Sequence, residues 1–278
     1  MFINFRKVLV ILIGFMTVFL FAEQKIISLA PGYTYQIYKL NRGDALIANT
    51  TFCNSPPAAR KKTKIGSIVN INVEKIYALQ PDLVISSTLT RRNQIEKLQQ
   101  LDINVEIFHR PQSLEGILEQ YQRLAQLVNR EKLASQQLDS LNEIINSIKS
   151  KVENRTGPKV LFQIGSDPLY AADQSSFLND LLKAANCKNV VQTSQSGAFS
   201  REDIIARRPQ VIIIALNEAK NQIEKERWQK FHSLPAVQNK RIIPVDPDLF
   251  CTPTPFNFAS SLLKLIPLIY PDINLENE

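Results

Sequence analysis

The sequence predicts an α/β fold of two Rossmann-like lobes joined by a single long helix. Three features of the sequence indicate it. Short apolar runs alternate with helical stretches in residues 23–112, and the same alternation begins again after residue 156. Between these regions, residues 114–152 carry apolar side chains at helical spacing, with neither proline nor glycine after Gly116. The chain has 278 residues, which is enough for two such lobes.

In the first lobe, residues 23–112, each predicted strand is a short apolar run bounded by turn residues. Pro31 and Gly32 end the first strand, and Pro81 ends the second helix. The predicted strands cover residues 25–30, 46–49, 83–86 and 105–108, and the predicted helices cover residues 33–40, 72–79 and 91–101.

The linking segment, residues 113–156, is predicted to be helical, with Ser113 as its N-cap. One continuous helix would be about 60 Å long at 1.5 Å per residue, which exceeds a small domain. The apolar stripe lapses near Asn129, so we expect a break there and a second helix over residues 130–154. That helix would span about 37 Å and would bridge the two lobes.

The second lobe, residues 157–278, repeats the alternation after Gly157 and Pro158. The predicted strands cover residues 160–164, 189–191, 211–216 and 241–245, and the predicted helices cover residues 177–185, 201–207, 226–231 and 256–269. In such folds a ligand binds beyond the strand ends, so we expect a ligand in the cleft between the lobes.

The composition excludes several classes of protein. Hydrophobic residues make up 44% of the chain and charged residues 21%, which excludes a disordered protein. The net charge of +7 is spread along the chain, and the longest basic run is the triplet at residues 60–62. Nucleic-acid binding is therefore not expected.

The first 22 residues have the pattern of a secretory signal peptide. Arg6 and Lys7 precede an apolar run over residues 8–21, and the small residue Ala22 follows. The run is short for a membrane span, which needs about 20 residues. We expect export with cleavage after Ala22; the alternative is an uncleaved N-terminal anchor.

Residues 66–85, which read GSIVNINVEKIYALQPDLVI, resemble the signature of helical-backbone (class III) periplasmic binding proteins, which serve ABC importers of cobalamin and iron-siderophores. The run at 26–31 is similar to the family's first strand and turn, and FCNSPP at 52–57 to a loop of its cobalamin branch. In the second lobe, residues 165–170, 199–204 and 246–250 resemble cleft loops and a helix of the family. The resemblance covers residues 23–272.

The resemblance implies a periplasmic substrate-binding protein that delivers a corrinoid or another metal chelate to an ABC importer. It implies no catalysis and no resident cofactor. A ferric-siderophore or haem binder of the same fold, and a membrane-anchored ligand sensor, are the alternatives. The chain departs from the cobalamin binders, since Ile68 stands where they have a tryptophan and the final loop at 253–256 lacks their arginine.

The alternation and the resemblance together nominate the ligand-contacting residues. They lie in loops that follow strands in both lobes, and they are Pro31, Tyr33, Phe52, Cys53, Asn54, Ser67, Ile68, Asp167, Tyr170, Asp248, Phe250, Cys251 and Thr252.

The two cysteines of this set, Cys53 and Cys251, have three possible roles. They are soft contacts for a metal-bearing ligand, a disulfide across the cleft, or small packing residues. A disulfide between the lobes would block ligand exchange, so we expect free thiols. The third cysteine, Cys187, is interpreted as structural.

Glu74 and Glu202 each lie near the start of a helix, one in each lobe. The resemblance implies that such a pair contacts arginines on the membrane subunits of the importer. Each glutamate is also explained locally, because an acidic residue in a first helical turn favours the helix dipole. A monomer is the expected state.

Catalytic and metal signatures are absent from the sequence. The two histidines, His109 and His232, lie far apart and fit no metal-binding spacing. G-x-S-x-G, G-x-x-x-x-G-K-[ST] and G-x-G-x-x-G do not occur. We therefore predict neither catalytic residues nor a metal site.

Overall fold

A computed structural model describes residues 24–193 and 197–275. The predicted signal segment, residues 1–22, lies outside the described residues, as do 194–196. The apolar runs of the sequence form the strands, and two helix-covered sheets result, as predicted.

The first lobe contains, among the described residues, a five-stranded parallel sheet in the order β3-β2-β1-β4-β5. Its strands are β1 (Ile26–Ser28), β2 (Leu46–Asn49), β3 (Thr63–Lys64), β4 (Leu83–Ser87) and β5 (Val105–Phe108), and its helices are α1 (Pro31–Lys39), α2 (Val73–Leu79) and α3 (Arg92–Gln100). The sequence did not predict β3, because two residues are too few to show a period. A short 3₁₀ helix at Pro57–Lys61 precedes it.

The linking segment breaks where the apolar stripe lapses. Helix α4 (Leu114–Leu127) begins at its predicted cap, where the Ser113 hydroxyl accepts from the Gly116 amide at 3.1 Å. Asn129 takes the left-handed conformation with φ 55°, and α5 (Glu131–Val152) follows. Asparagine tolerates this conformation better than most residues, which explains why the break falls there.

Helix α5 is buried in two hydrophobic cores. Near its start, Ala134 and Leu138 pack in the first lobe's core; near its end, Ile145, Ile148 and Val152 pack in the second lobe's core. Helix α4 runs beside α5 and adds a second connection, since its Ile117 packs in the second core and its Tyr121 in the first.

The second lobe has, within its described part, a six-stranded sheet in the order β11-β10-β6-β7-β9, with β8 paired to β6. Its strands are β6 (Lys159–Ser166), β7 (Leu169–Ala171), β8 (Lys188–Asn189), β9 (Ala198–Phe199), β10 (Val211–Ile214) and β11 (Ile242–Pro244). Its helices are α6 (Phe177–Ala184), α7 (Arg201–Ala206), α8 (Glu218–Gln229), α9 (Pro235–Gln238), α10 (Pro247–Phe250) and α11 (Pro255–Ile269).

Two elements of this lobe differ from the sequence prediction. Helix α8 begins at Glu218, whereas the sequence predicted a start at residue 226. The buried residues of the helix are Asn221, Glu224 and Trp228. A buried face that is largely polar gives no apolar period to detect. The predicted loop after β6 is a hairpin, in which β7 turns back antiparallel to β6.

Ile145→Ala should lower the free energy of unfolding by about 2–5 kcal/mol, because it removes a buried side chain and leaves a cavity in the second core. The matched control is Asn146→Ala, one residue along on the exposed face of α5, with an effect within about 0.5 kcal/mol. Urea unfolding followed by circular dichroism measures both. Similar small effects in the two variants would contradict the burial of α5 in the second core.

Candidate functional site

The carboxyl ends of the two sheets face each other across a cleft that contains, in the described part of the chain, three adjoining cavities. The central cavity, of about 340 Å³, lies between Pro31 and Ile68 of the first lobe and Cys251 and Thr252 of the second. On one side it shares Pro31, Ile68 and Thr252 with a cavity of about 490 Å³, here the Phe52 cavity. On the other side it adjoins a cavity of about 380 Å³, here the Tyr170 cavity.

The turn from β1 into α1 forms part of the central wall. A β-carbon on Gly32 would lie 3.3 Å from Cγ2 of Thr252 in the opposite lobe, so the two lobes are close to contact at this point. Tyr33 lines the cavity with its hydroxyl donating to Oε1 of Gln120 at 3.1 Å and its ring 4.8 Å from that of Phe108. Burial raises the pKa of Tyr33 well above its usual value, so the phenol is neutral and fixed.

Ile68 reaches the cleft because a tight turn presents it. Gly66 has φ 110°, and a β-carbon there would lie 2.4 Å from the carbonyl oxygen of Asn70. Ser67 closes the same turn, since its hydroxyl accepts from the Asn70 amide at 3.0 Å. Ser67 is not among the residues that line the described cavities, whereas Ile68 lines the central and Phe52 cavities.

The loop after β2 places Phe52 and Asn54 in the wall of the Phe52 cavity. Cys53, between them, faces the other way and is fully buried. Its sulfur lies 3.1 Å from Oγ1 of Thr34 and 3.2 Å from Oγ1 of Thr50. The expectation that Cys53 faces the ligand is therefore corrected: alternate side chains of this loop point to opposite sides, and Cys53 packs beneath it.

The loop after β11 supplies Asp248, Cys251 and Thr252 to the cavity walls. Phe250, expected in the same set, is 3% exposed and packs 6.1 Å from the ring of Phe162 in the second core. That expectation is also corrected, because this segment is the short helix α10 rather than an open loop, and the helix turns Phe250 inward.

Burial raises the pKa of the Cys251 thiol to about 12, although the Arg110 charge opposes the shift. The thiol is therefore protonated at neutral pH. All three cysteines lie in the described ranges and are free, as expected for Cys53 and Cys251.

The β6–β7 hairpin carries Tyr170 into the Tyr170 cavity with 45% of its surface exposed. A β-carbon on Gly165 would lie 2.8 Å from Cδ2 of Tyr170, so the glycine lets this ring lie against β6. Asp167, at the tip of the hairpin, does not line the described cavities. Its carboxylate accepts from Nη1 of Arg227 at 3.1 and 3.0 Å, and this ion pair turns it away from the expected ligand contact.

The sequence reasoning missed a cationic wall of the cleft. His109, Arg110 and Pro111 follow β5 and line the central cavity, and Arg110 also lines the Tyr170 cavity. The signal was present, because predicted strand 105–108 ends immediately before them and its carboxyl end belongs to the same edge as the other loops.

Glu74 and Glu202 are exposed in the first turns of α2 and α7. Helix α2 follows β3, and α7 follows β9, which runs parallel to β6. Both helix starts therefore lie at the carboxyl edges that border the cleft. Among the described residues, neither carboxylate forms an ion pair with another side chain.

Within residues 24–193 and 197–275, the histidine, cysteine and acidic side chains form no group of three that would hold a metal ion. None of the helices found there combines the length and apolar character needed to cross a membrane. The walls of the central cavity are largely apolar and carry a few polar groups, which suits ligand binding.

Comparison with known proteins agrees with this architecture. The substrate-binding lipoprotein YvrC of Bacillus subtilis, described as an uncharacterized ABC transporter component, is 28% identical over 259 residues, which cover 90% of this chain and 81% of the relative. The vitamin B12-binding protein of Yersinia pseudotuberculosis is 27% identical over 214 residues, 76% of each chain. The crystal structure of a possible iron-binding periplasmic protein of Staphylococcus epidermidis has a TM-score of 0.78 at 26% identity, covering 89% of this chain and 98% of that chain.

A family model described as periplasmic binding protein matches residues 26–249. Because this match spans most of the chain and the two-lobed fold agrees with it, the chain belongs to the periplasmic binding protein family, as a substrate-binding protein of the ABC importer type.

Proposed function

We propose that the cleft binds a corrinoid or a similar metal chelate and that the protein delivers it to an ABC importer. The observation that carries this proposal is the composition of the cleft walls. Apolar surfaces from both lobes, including Pro31, Ile68 and Pro111, face the central cavity. Exposed aromatic rings, Phe52 at 59% and Tyr170 at 45%, stand in the two outer cavities. A broad, flat macrocycle needs such apolar walls and aromatic faces.

The polar groups of the cleft fit the edge of such a ligand. Asn54 and Asp248 line the Phe52 cavity and offer an amide and a carboxylate. Hydrogen-bonding groups of this kind fix the orientation of a ligand that apolar walls hold. The vitamin B12-binding relative at 27% identity supports the same ligand class.

A second candidate ligand is haem or a ferric siderophore. Arg110 lines two of the three cavities, and a guanidinium pairs well with carboxylates or other anionic oxygens. His109 lies beside it in the wall of the central cavity. These residues favour an anionic chelate over a neutral corrinoid.

Thermal unfolding with cyanocobalamin, cobinamide, haem or a ferric hydroxamate separates the two candidates. The true ligand at 100 times its dissociation constant stabilises the protein by about 2.7 kcal/mol. We expect stabilisation by a corrinoid, and a Tyr170→Ala variant with about two- to tenfold weaker binding, because one aromatic face is lost. Tyr77→Ala, at an exposed tyrosine on α2, is the matched control. Stabilisation by haem alone would replace the first candidate with the second.

Cys251→Ser should weaken binding of cobinamide, whose metal has exchangeable axial positions, and should change its visible spectrum, because coordination by the sulfur would release the thiol proton to solvent. Cys53→Ser should do neither, because Cys53 is buried away from the cavities. Titrations of both variants, followed by absorbance, test this. If both variants have the affinity and the spectrum of the unsubstituted protein, Cys251 is a packing residue.

We propose that Glu74 and Glu202 contact the membrane subunits of the importer. Support comes from their exposure, from their position on the rim of the cleft in different lobes, and from their lack of a described ion-pair partner. One chain supplies both residues, so a monomer is the proposed functional unit.

The double variant Glu74→Ala and Glu202→Ala should impair uptake while leaving ligand affinity nearly unchanged, because interfacial charge pairs contribute more than about 1 kcal/mol each when desolvated. The control is Glu115→Ala with Glu131→Ala, two exposed glutamates that occupy first turns of α4 and α5. The control removes the same helix-dipole interactions. Equal uptake by both double variants would refute the docking role.

We propose a periplasmic location, with residues 1–22 removed on export. Support comes from the charged start, the apolar run and the small residue at Ala22. The intact mass of the exported protein, expected to begin at Glu23, checks the cleavage site.

A further inference from the structure

A carboxylate with no solvent exposure lies inside the second lobe. Glu224 on α8 is 0% exposed and accepts three hydrogen bonds. The donors are Nη2 of Arg201 at 2.6 Å, Nε2 of Gln163 at 2.7 Å and Nη1 of Arg227 at 2.8 Å. Both carboxylate oxygens therefore accept hydrogen bonds. None of these contacts faces the cavities, so ligand contact does not explain them.

One of these donors connects Glu224 to the rim of the cleft. Arg201 is the first residue of α7 and immediately precedes Glu202, the proposed docking residue. The guanidinium carbon of Arg201 lies 4.8 Å from the centre of the Trp228 ring, which holds the arginine from a second side. Of the six residues of α7, Ile204 is the buried one. Ile205 packs against the same core from a partly buried position, and the ion pair of Arg201 with Glu224 adds a polar connection at the first residue of the helix.

The other two donors connect Glu224 to the strand and hairpin that carry Tyr170. Gln163 lies on β6, donates also to the carbonyl of Gly165 at 2.9 Å, and accepts from the indole nitrogen of Trp228 at 2.7 Å. Arg227 extends from Glu224 to Asp167 at the hairpin tip, 3.0 Å away.

The charges of this cluster balance, because two carboxylates, Glu224 and Asp167, face two guanidinium groups, Arg201 and Arg227. A buried charge is tolerated when it is paired and hydrogen-bonded, as both oxygens of Glu224 are. In the described part of the chain, Nη1 of Arg201 is buried without a hydrogen-bond partner. Loss of the Glu224 charge would leave Arg201 and Arg227 without the carboxylate that they share. Helix α7 and the β6–β7 hairpin would then no longer be connected through one side chain.

We infer that Glu224 is a positioning residue that holds the docking helix α7 and the Tyr170 hairpin as one unit. The hairpin contributes to the cleft and α7 carries Glu202, so this carboxylate fixes the spacing between the ligand-contacting and importer-contacting parts of the second lobe. The part of the inference that concerns docking rests on the proposed role of Glu202.

Hydrogen exchange of the isolated, full-length protein tests the anchoring. In Glu224→Gln, amides of residues 198–207 and 165–171 should exchange about tenfold faster or more, because both segments open more readily. The amide exchange rates of residues 72–79, in the other lobe, should not change. The matched control is Glu226→Gln, two residues along α8, whose exposed carboxylate accepts from Gln222. Unchanged exchange in both second-lobe segments would overturn the inference.

A second variant keeps the inference testable if Glu224→Gln does not fold. Arg201→Gln releases α7 but leaves the contacts of Glu224 with Gln163 and Arg227 in place, and β9 stays paired with β7 of the hairpin, so only residues 201–207 should exchange faster. Equal acceleration of the hairpin would contradict the separate connections described above.

Affinity for the importer, measured on the reconstituted complex, tests the functional part. Glu224→Gln should weaken this affinity about tenfold, whereas Glu226→Gln should not. If Glu202→Ala itself leaves the affinity unchanged, the docking proposal fails, and the hydrogen-exchange result still decides whether Glu224 anchors α7. If Glu202→Ala weakens the affinity and Glu224→Gln does not, positioning by Glu224 is refuted.

Discussion

The burial of one helix in two cores is the constraint on which the rest of the structure depends. Each lobe is a sheet that needs helices on its faces, and α5 serves both lobes with different parts of one apolar stripe. Leu138 and Ile145 cannot both remain buried if the lobes rotate freely about the helix. The cleft is therefore largely preformed, and a preformed cavity loses less free energy to ordering when a ligand binds.

Much of the fold was predictable because apolar runs form buried strands. The bounds of β2 and β5 match the prediction, and so does the break at Asn129. The late start predicted for α8 has a physical cause, which is that burial in this protein is not always apolar. Helix α8 buries Asn221 and Glu224, so its first two turns lack the expected period.

The candidate site was predictable at the level of loops and less so at the level of side chains. The rule that ligands bind beyond strand ends led to Pro31, Ile68 and Cys251, which line the central cavity. The rule does not say which side chains a turn directs inward. Cys53 and Phe250 are buried under their own loops, and Arg227 draws Asp167 away. These orientations depend on partners distant in sequence, so local pattern does not reveal them.

The near contact between Gly32 and Thr252 sets a lower limit to the width of the cleft. A β-carbon on Gly32 would already lie 3.3 Å from the threonine methyl, so the lobes have almost no room to approach further at this point. Closure around a ligand is therefore limited at this point of the cleft. Glycine has no β-carbon, so it permits the closest approach of the two lobes at this position. The closest approach of the two lobes at this point is thus set by the backbone of one lobe and a single methyl group of the other.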